Sequence, residues 1–417
     1  MQKIELLAPA GDPEKLKVAI RYGADAVYIS DRFFGLRGKA GNFRRSQMRG
    51  AVEYAHQNGV KVYIAVNLFA YNRDFRRLED YLRLLDTHIK PDALIVADPG
   101  VIDLAREVAP GLELHLSTQA NTLNTRACNF WAKQGVRRII LARELSFGDI
   151  SQIASSGDVD VEIFVHGSIC IAYSGRCFIS NYMSSYRDAN RGLCTNSCRW
   201  SYQLQDREYQ VEEEQRPGEF YPIEEDGRGT YLFNSKDLCL LPRLGEILSS
   251  PVKSLKIEGR TKSLSYLSTV ISVYRRGIDA WYQGSEQFEN LLPSLQLELN
   301  QLGSRGYTEG LFKGHEKEQY NLFGAQKSQS FDFAGLHRGT RQVNGKTLSL
   351  VSVKKKLVKG DFVQVFDPQH QHREEQVLGI YDQNGLAMKK AIPGQEVYFK
   401  GLEDVPDHTI LRLPFIK

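Results

Sequence analysis

Residues 61–100 read KVYIAVNLFAYNRDFRRLEDYLRLLDTHIKPDALIVADPG. The runs VYIAV and LIVA inside this stretch are apolar at every position, so both faces of each strand need covering. Parallel strands sandwiched by helices meet that need, whereas alternating antiparallel strands do not. A polar residue ends each run (Asn67, then Asp98), and a helix fits between them. The same cycle recurs every ~25 to 35 residues, as βα units do. Strands are predicted at 5–11, 25–30, 61–69, 92–100, 112–121, 137–145, 161–168 and 254–260. Helix ends are marked as well. Asp12 is placed to cap, Pro13 suits the first helical position, and Gly23 supplies a left-handed stop. Leu16, Ala19 and Ile20 form that helix's inward stripe, and Gly59 and Gly135 repeat the stop. Eight such units predict an α/β fold, a (β/α)8 TIM-like barrel, with an open doubly wound sheet as the alternative. Neither a Gly-x-Gly-x-x-Gly turn nor a Walker loop follows any strand, which weighs against nucleotide binding.

The 417 residues suit a barrel with an appendage, and 42% hydrophobic with 25% charged residues describe a chain able to build a full core. No apolar run is long enough to span a membrane. The start, MQKIELLAPAGDPEKL, enters a strand at once and has no signal-peptide pattern. Six cysteines without such a signal point to a reducing, cytoplasmic setting and to metal or redox use rather than disulfides. The net charge of +4 permits contact with nucleic acid without arguing for it. Residues 1–312 are expected to form the barrel, with an insertion at 168–236 after strand seven that holds the cysteines and an acidic stretch. Insertions at that end of a strand build active sites. Residues 313–330 read as a linker. From 331 to 417 the hydrophobic period becomes two, with NG, KGD and PGQ turns, so a small all-β barrel is expected. Arg341, Lys354, Lys355, Lys356 and Lys359 give it a basic edge, a candidate RNA contact.

Four cysteines stand as Cys170-x6-Cys177-x16-Cys194-x3-Cys198, among turn formers Gly167, Gly175, Gly192 and Asn196. Four thiolates from such loops make a zinc site or an iron–sulfur cluster. Structural zinc favours two short pairs, and only Cys194 and Cys198 form one; the spacing leans toward [4Fe–4S]. Buried free thiols or disulfides are the bland alternative. Cys128 reads as core. Cys239, placed at the start of a helix over 237–250, reads as a small packed residue, with substitute ligand as the alternative. Polar groups at strand ends face a barrel's active site. They include Arg37, Asn42, Phe43, Asn67, Asp98, Gln119, Asn121, Arg143, Glu144, His166, Glu258 and Arg260. Arg37, Asn67, Gln119 and Asn121 are candidates for holding a cofactor or co-substrate. Arg143, Glu144, His166, Glu258 and Arg260 are candidates for catalysis, and the guanidiniums suit an anionic substrate. Each of the pairs Arg143/Glu144 and Glu258/Arg260 could instead simply organise the rim. Peptidase chemistry finds little support: there is no His-Glu-x-x-His or Gly-x-Ser-x-Gly, and His166-Gly-Ser168 lacks a partner carboxylate.

The segments FVHGSICIAYSGRCFISNYM (164–183), GLCTNSCRW (192–200), QRPGEF (215–220), NSKDL (234–238), SLKIEGRTKS (254–263) and RGYTEG (305–310) carry a strong resemblance. They are similar to a bacterial family commonly labelled collagenase-like or uncharacterised peptidases. The likeness covers residues 1–312, and the β-module matches a C-terminal domain that many members carry. The resemblance implies prephenate-dependent hydroxylation of a tRNA wobble uridine to 5-hydroxyuridine, with the tRNA anticodon loop as partner. Other members hydroxylate a 23S rRNA cytidine, or act in oxygen-independent ubiquinone hydroxylation with [4Fe–4S] clusters. Carried over position by position, it makes Cys170, Cys177, Cys194 and Cys198 the ligands of a [4Fe–4S] cluster. It also implies a hydroxyl donor other than dioxygen. Arg143 and Arg260 are the residues expected to dock prephenate.

Overall fold

The computed structural model describes residues 3–36, 41–170, 172–177, 179–180, 188–199, 210–212, 220–222, 224–226, 229–231, 235–314, 330–370 and 372–414. Seven parallel strands alternate with helices: β1 (Glu5–Pro9), α1 (Pro13–Arg21), β2 (Ala26–Ile29), α2 (Arg45–Gln57), β3 (Lys61–Val66), α3 (Phe75–Leu84), β4 (Ala93–Val96), α4 (Pro99–Val108), β5 (Glu113–Leu116), α5 (Thr125–Lys133), β6 (Val136–Ile140), α6 (Phe147–Ser155) and β7 (Asp160–Ser168). After the insertion come β8 (Asp237–Cys239), α7 (Leu244–Leu248), β9 (Ser254–Ile257), α8 (Leu264–Gln283), α9 (Ser285–Asn300) and β10 (Tyr307–Thr308). Strand β9 pairs in parallel with both β7 and β1, which closes an eight-stranded TIM-like barrel.

The local signals act as sequence physics dictates. The Asp12 side chain accepts the Lys15 N–H at 2.9 Å, Pro13 follows it, and Gly23 lies at φ +103° beyond α1. Asp98 caps α4 by accepting the N–H groups of Gly100 and Val101, and it also takes the Ala70 N–H from the loop after β3. Asp98 is therefore a brace between loops.

The helix expected over 237–250 is mostly absent. Residues 237–239 instead form β8, antiparallel to β7 with Leu238 opposite Gly167, and β8 in turn pairs with β10. Pro242 explains the break, since proline fits only the opening turn of a helix. It sits in a short turn at Leu241–Arg243, and α7 begins only after it. Cys239 is thus a buried strand residue whose thiol burial pushes up to about 11, not an activated thiol at a helix start.

Inside the barrel runs a chain of charges. Lys256 Nζ lies 2.8 Å from Glu162, Glu162 is 3.4 Å from Arg138, and Arg138 is 2.5 Å from Glu5. Glu5 also accepts from Tyr63 and Ser254. Buried charges are tolerated when paired in this way.

The C-terminal module is a seven-stranded antiparallel sheet built on Phe331–Val343, with Lys346–Val353 on one side and Ile410–Pro414 on the other, around its own apolar core. It docks on the barrel through α1 and α8. Tyr22 donates to the Phe366 carbonyl at 2.6 Å, and the fully buried Arg412 donates to Thr269 Oγ1 at 2.6 Å. Of the linker expected at 313–330, residues 315–329 lie outside the described residues, as does much of the insertion.

Candidate functional site at the barrel mouth

Two cavities lie at opposite ends of the barrel. The larger, of about 360 Å³, opens at the strand N-termini and is lined by Glu5, Tyr63, His115 and Arg138. The other, of about 160 Å³, opens at the C-terminal mouth, where barrel enzymes place their chemistry. The mouth cavity is the candidate site. It is lined by all four cysteines, Cys170, Cys177, Cys194 and Cys198, together with Asn67, Gln119, Arg143, Glu258 and Arg260. Nine of the thirteen residues given a metal, cofactor or catalytic role from sequence therefore meet around one space.

The cysteine loops are fastened to the barrel rim. Glu144 accepts the Ser174 N–H at 2.7 Å and the Ser174 hydroxyl at 3.2 Å, so its carboxylate grips the turn between Cys170 and Cys177 from outside the cavity. Gly175 lies at φ +73°, and a Cβ there would fall 2.1 Å from the Gln119 carbonyl oxygen; only glycine lets this turn approach the rim so closely. Further along, Thr195 N–H donates to Ser180 Oγ at 3.2 Å, tying the Cys194 turn to the segment after Cys177. Partial burial pushes the Cys177 thiol up, opposed by the N–H groups of Ile179 and Ser180, and Cys170 and Cys194 are near enough to disfavour its ionisation further.

Among the described residues no three Cys, His, Asp or Glu side chains are grouped to hold a single metal ion. A tetrahedral zinc with ~2.3 Å bonds needs its sulfurs converging on one point, whereas a cubane takes each thiolate at a separate corner. Four thiols opening on one shared space are, by their chemistry, a donor set that fits a cluster.

The cavity's charged lining is mostly cationic. Arg143 stacks on Phe164, 4.1 Å from the ring centroid, and donates to the Ser168 carbonyl at 3.3 Å. Arg260 is buried, and its carbonyl accepts from Lys15 at 3.0 Å. Lys256 also lines the space, with Nζ 4.6 Å from the Tyr28 ring centroid. Sequence reading passed over Lys256, although it precedes Glu258 and Arg260 at alternate positions and lines the same cavity. Asn67 lines the cavity while bracing two loops, accepting from Leu36 N–H at 3.3 Å and donating to Ser117 Oγ at 3.2 Å.

Four expectations lie elsewhere. Arg37 falls outside the described residues. Glu144 holds the loop and does not line the cavity. Asn121, at φ 50°, ends the turn Thr118–Ala120 in a left-handed conformation away from the cavity; its role is in the backbone. His166 is also displaced. Phe164 pairs with Lys256 but His166 with Ile257, so Val165 is an extra residue in β7. This β-bulge reverses the alternation and turns His166 out of the barrel. There it meets the rings of Tyr266, Tyr274 and Tyr307, and burial pushes its imidazole down to about 3. It is a core residue.

Comparison with known proteins agrees with this architecture. The model of Peptidase family U32 matches residues 11–322, and that of the Peptidase family U32 C-terminal domain matches residues 329–412. The chain belongs to Peptidase family U32. Among its relatives, the tRNA hydroxylation protein P1 of Bacillus subtilis is 39% identical over 96% of this chain and 92% of its own length. The tRNA hydroxylation protein P of Escherichia coli is 38% identical, over 88% of this chain and 87% of its own. A U32 relative with another stated product, the 23S rRNA 5-hydroxycytidine synthase of Escherichia coli, is 35% identical over 67% of this chain and 40% of its own length.

Proposed function

We propose that this protein hydroxylates RNA, most specifically a tRNA wobble uridine to 5-hydroxyuridine, with prephenate as co-substrate and a [4Fe–4S] cluster held by Cys170, Cys177, Cys194 and Cys198. The observation that carries the reading is the meeting of four thiols and three cations, Arg143, Lys256 and Arg260, around one cavity at the catalytic end of the barrel. The relatives named for tRNA and rRNA hydroxylation supply the substrate class. When bound, such a cluster passes electrons or activates an oxygen donor.

The remaining roles belong to the chain itself. Arg143 and Arg260 would orient the carboxylates of prephenate by charge-assisted hydrogen bonds, and Lys256 would add a third positive charge from below. Among the described residues Glu258 is the one carboxylate on the lining, and it is the candidate to hold a proton during the reaction. Phe164 and Tyr28 supply the apolar walls that exclude water and strengthen these contacts. A single-stranded anticodon loop presents its base at low unstacking cost. Peptide hydrolysis, the activity in the family's name, is not favoured by a His166 that points away from the cavity. The 23S rRNA cytidine remains the second substrate reading, because the rRNA relative is 35% identical over 67% of this chain.

The test is nucleoside mass spectrometry of tRNA and rRNA from a deletion strain, complemented with the wild-type chain or with single Cys→Ser variants at the four positions. Restoration of 5-hydroxyuridine by wild type alone, with an anaerobic iron–sulfur absorption band lost in the variants, is the expected result. Full restoration by the serine variants would sink the cluster assignment, and no change in either RNA would sink the activity.

A further inference from the structure

The C-terminal end of the barrel has a surface beyond its cavity. Among the described residues of 31–45, 67–77 and 168–198, the loops after β2 and β3 and the cysteine-bearing part of the insertion, eight are Arg and three Asp, while the whole chain holds 54 basic against 50 acidic residues. These three segments touch one another. Arg191 donates to the Phe69 carbonyl at 2.6 Å and pairs with Asp74 at 2.9 Å, joining the insertion to the β3 loop. Gly192 packs on the backbone of Gly35 and Leu36, joining it to the β2 loop.

Each segment also presents an exposed ring: Phe33 is 67% exposed, Tyr71 51% and Tyr173 59%. Rings left in water beside arginines are what single-stranded nucleic acid uses, since bases stack on them and phosphates meet the guanidiniums. Tyr71 is already half of such a stack, with the Arg191 guanidinium 3.9 Å from its centroid. Tyr173 lines the mouth cavity, so a strand held on the rim would have a base beside it. The β-module is a poorer match: its residues 331–417 hold thirteen basic against ten acidic groups, and Lys355 is paired with Asp332 at 3.0 Å.

We propose that RNA is held as an unstacked single strand by this arginine-and-aromatic rim, with Phe33, Tyr71 and Tyr173 as stacking platforms, and not by the lysine edge of the β-module. The inference rests on the RNA-hydroxylase reading and adds where the substrate lies. Its test is fluorescence anisotropy with the full-length, cluster-loaded protein and two labelled probes: a hairpin RNA with an anticodon-sized uridine-containing loop, and a blunt duplex of the same stem.

Wild type is expected to prefer the hairpin. Phe33→Ala should weaken hairpin binding about 5- to 100-fold, the range of one lost base stack. Arg76→Ala combined with Arg77→Ala should weaken it and flatten the log–log salt dependence by about 1.4, at about 0.7 per phosphate contact. Alanines at Lys354, Lys355 and Lys356 should leave both quantities nearly unchanged. Loss with the lysine variant but not with the rim variants overturns the proposal, as does equal affinity for the duplex or no RNA binding by wild type. Product formation is scored separately. Rim-dependent binding without hydroxylated nucleoside overturns the enzyme reading alone, and product with rim-independent binding overturns this inference alone.

Discussion

Lys256 and His166 show how one residue's surroundings set its use. Burial holds the Lys256 ammonium below the ordinary lysine range, opposed by Glu162 at 2.8 Å. Its charge, and with it any attraction for a carboxylate, is complete at low pH and is lost as pH rises through that lowered value. Lys256→Met should raise the Kd for the proposed co-substrate, prephenate, about 10- to 100-fold, the worth of one charged hydrogen bond, and remove that alkaline loss of affinity. Calorimetric titration across pH reads both, and an unchanged Kd would take Lys256 out of the binding set. His166 works in the opposite sense, through stability. Its folded imidazole titrates at about 3 against 6.5 in an open chain. The unfolded state therefore binds a proton that the folded state refuses, and stability falls as pH drops from 6.5 toward 3. The slope is about 1.4 kcal/mol per pH unit for this one group. His166→Phe should flatten that share of the acid-side decline in urea denaturation, while the parallel decline from His408, which titrates at about 4, persists.

At the scale of elements, the turn between Cys170 and Cys177 depends on glycine at 175. An alanine there would combine a left-handed φ with a Cβ 2.1 Å from the Gln119 carbonyl. The conformation alone costs about 1–2 kcal/mol before the clash is relieved. Gly175→Ala should lower the iron held as the proposed cluster severalfold while far-UV dichroism of the barrel stays unchanged; full iron content would show that the turn has slack. The barrel itself was legible because apolar runs, Asp12, Pro13 and Gly23 act locally and agree with one another. The four cysteines were legible as a group because all of them lie in one insertion directly after β7. What escaped was whatever depends on register. The bulge at Val165 reverses His166 without any trace in the hydrophobic pattern, and Pro242, inside the helix expected over 237–250, sits instead in the short turn that precedes α7. Lys256 escaped for a different reason: a lone lysine in an apolar strand looks like an edge residue until its partner Glu162, ninety-four positions away, is known.

Over the whole molecule, the barrel and the β-module share a seam centred on Arg412. The guanidinium lies 4.3 Å from the ring centroids of both Phe331 and Phe366 and reaches Thr269 on α8. Arg412→Ala should weaken this seam by about 2–4 kcal/mol, from a charged hydrogen bond and two cation–ring contacts. Scanning calorimetry should then resolve a lower-melting module ahead of the barrel; one unsplit transition would contradict the seam's importance. The grip of Glu144 on the cysteine turn makes a further prediction. Small metallo-domains unfold when stripped, because their metal supplies the folding energy. Here the cysteine loop is fastened by hydrogen bonds to the rim, so chelating the iron of the proposed cluster should leave the barrel's melting temperature within a few degrees of the loaded value while abolishing the proposed product. On the proposed cluster reading, a cell starved of iron would keep an idle but intact stock of this protein, ready to be recharged when supply returns, and would not have to synthesise it anew.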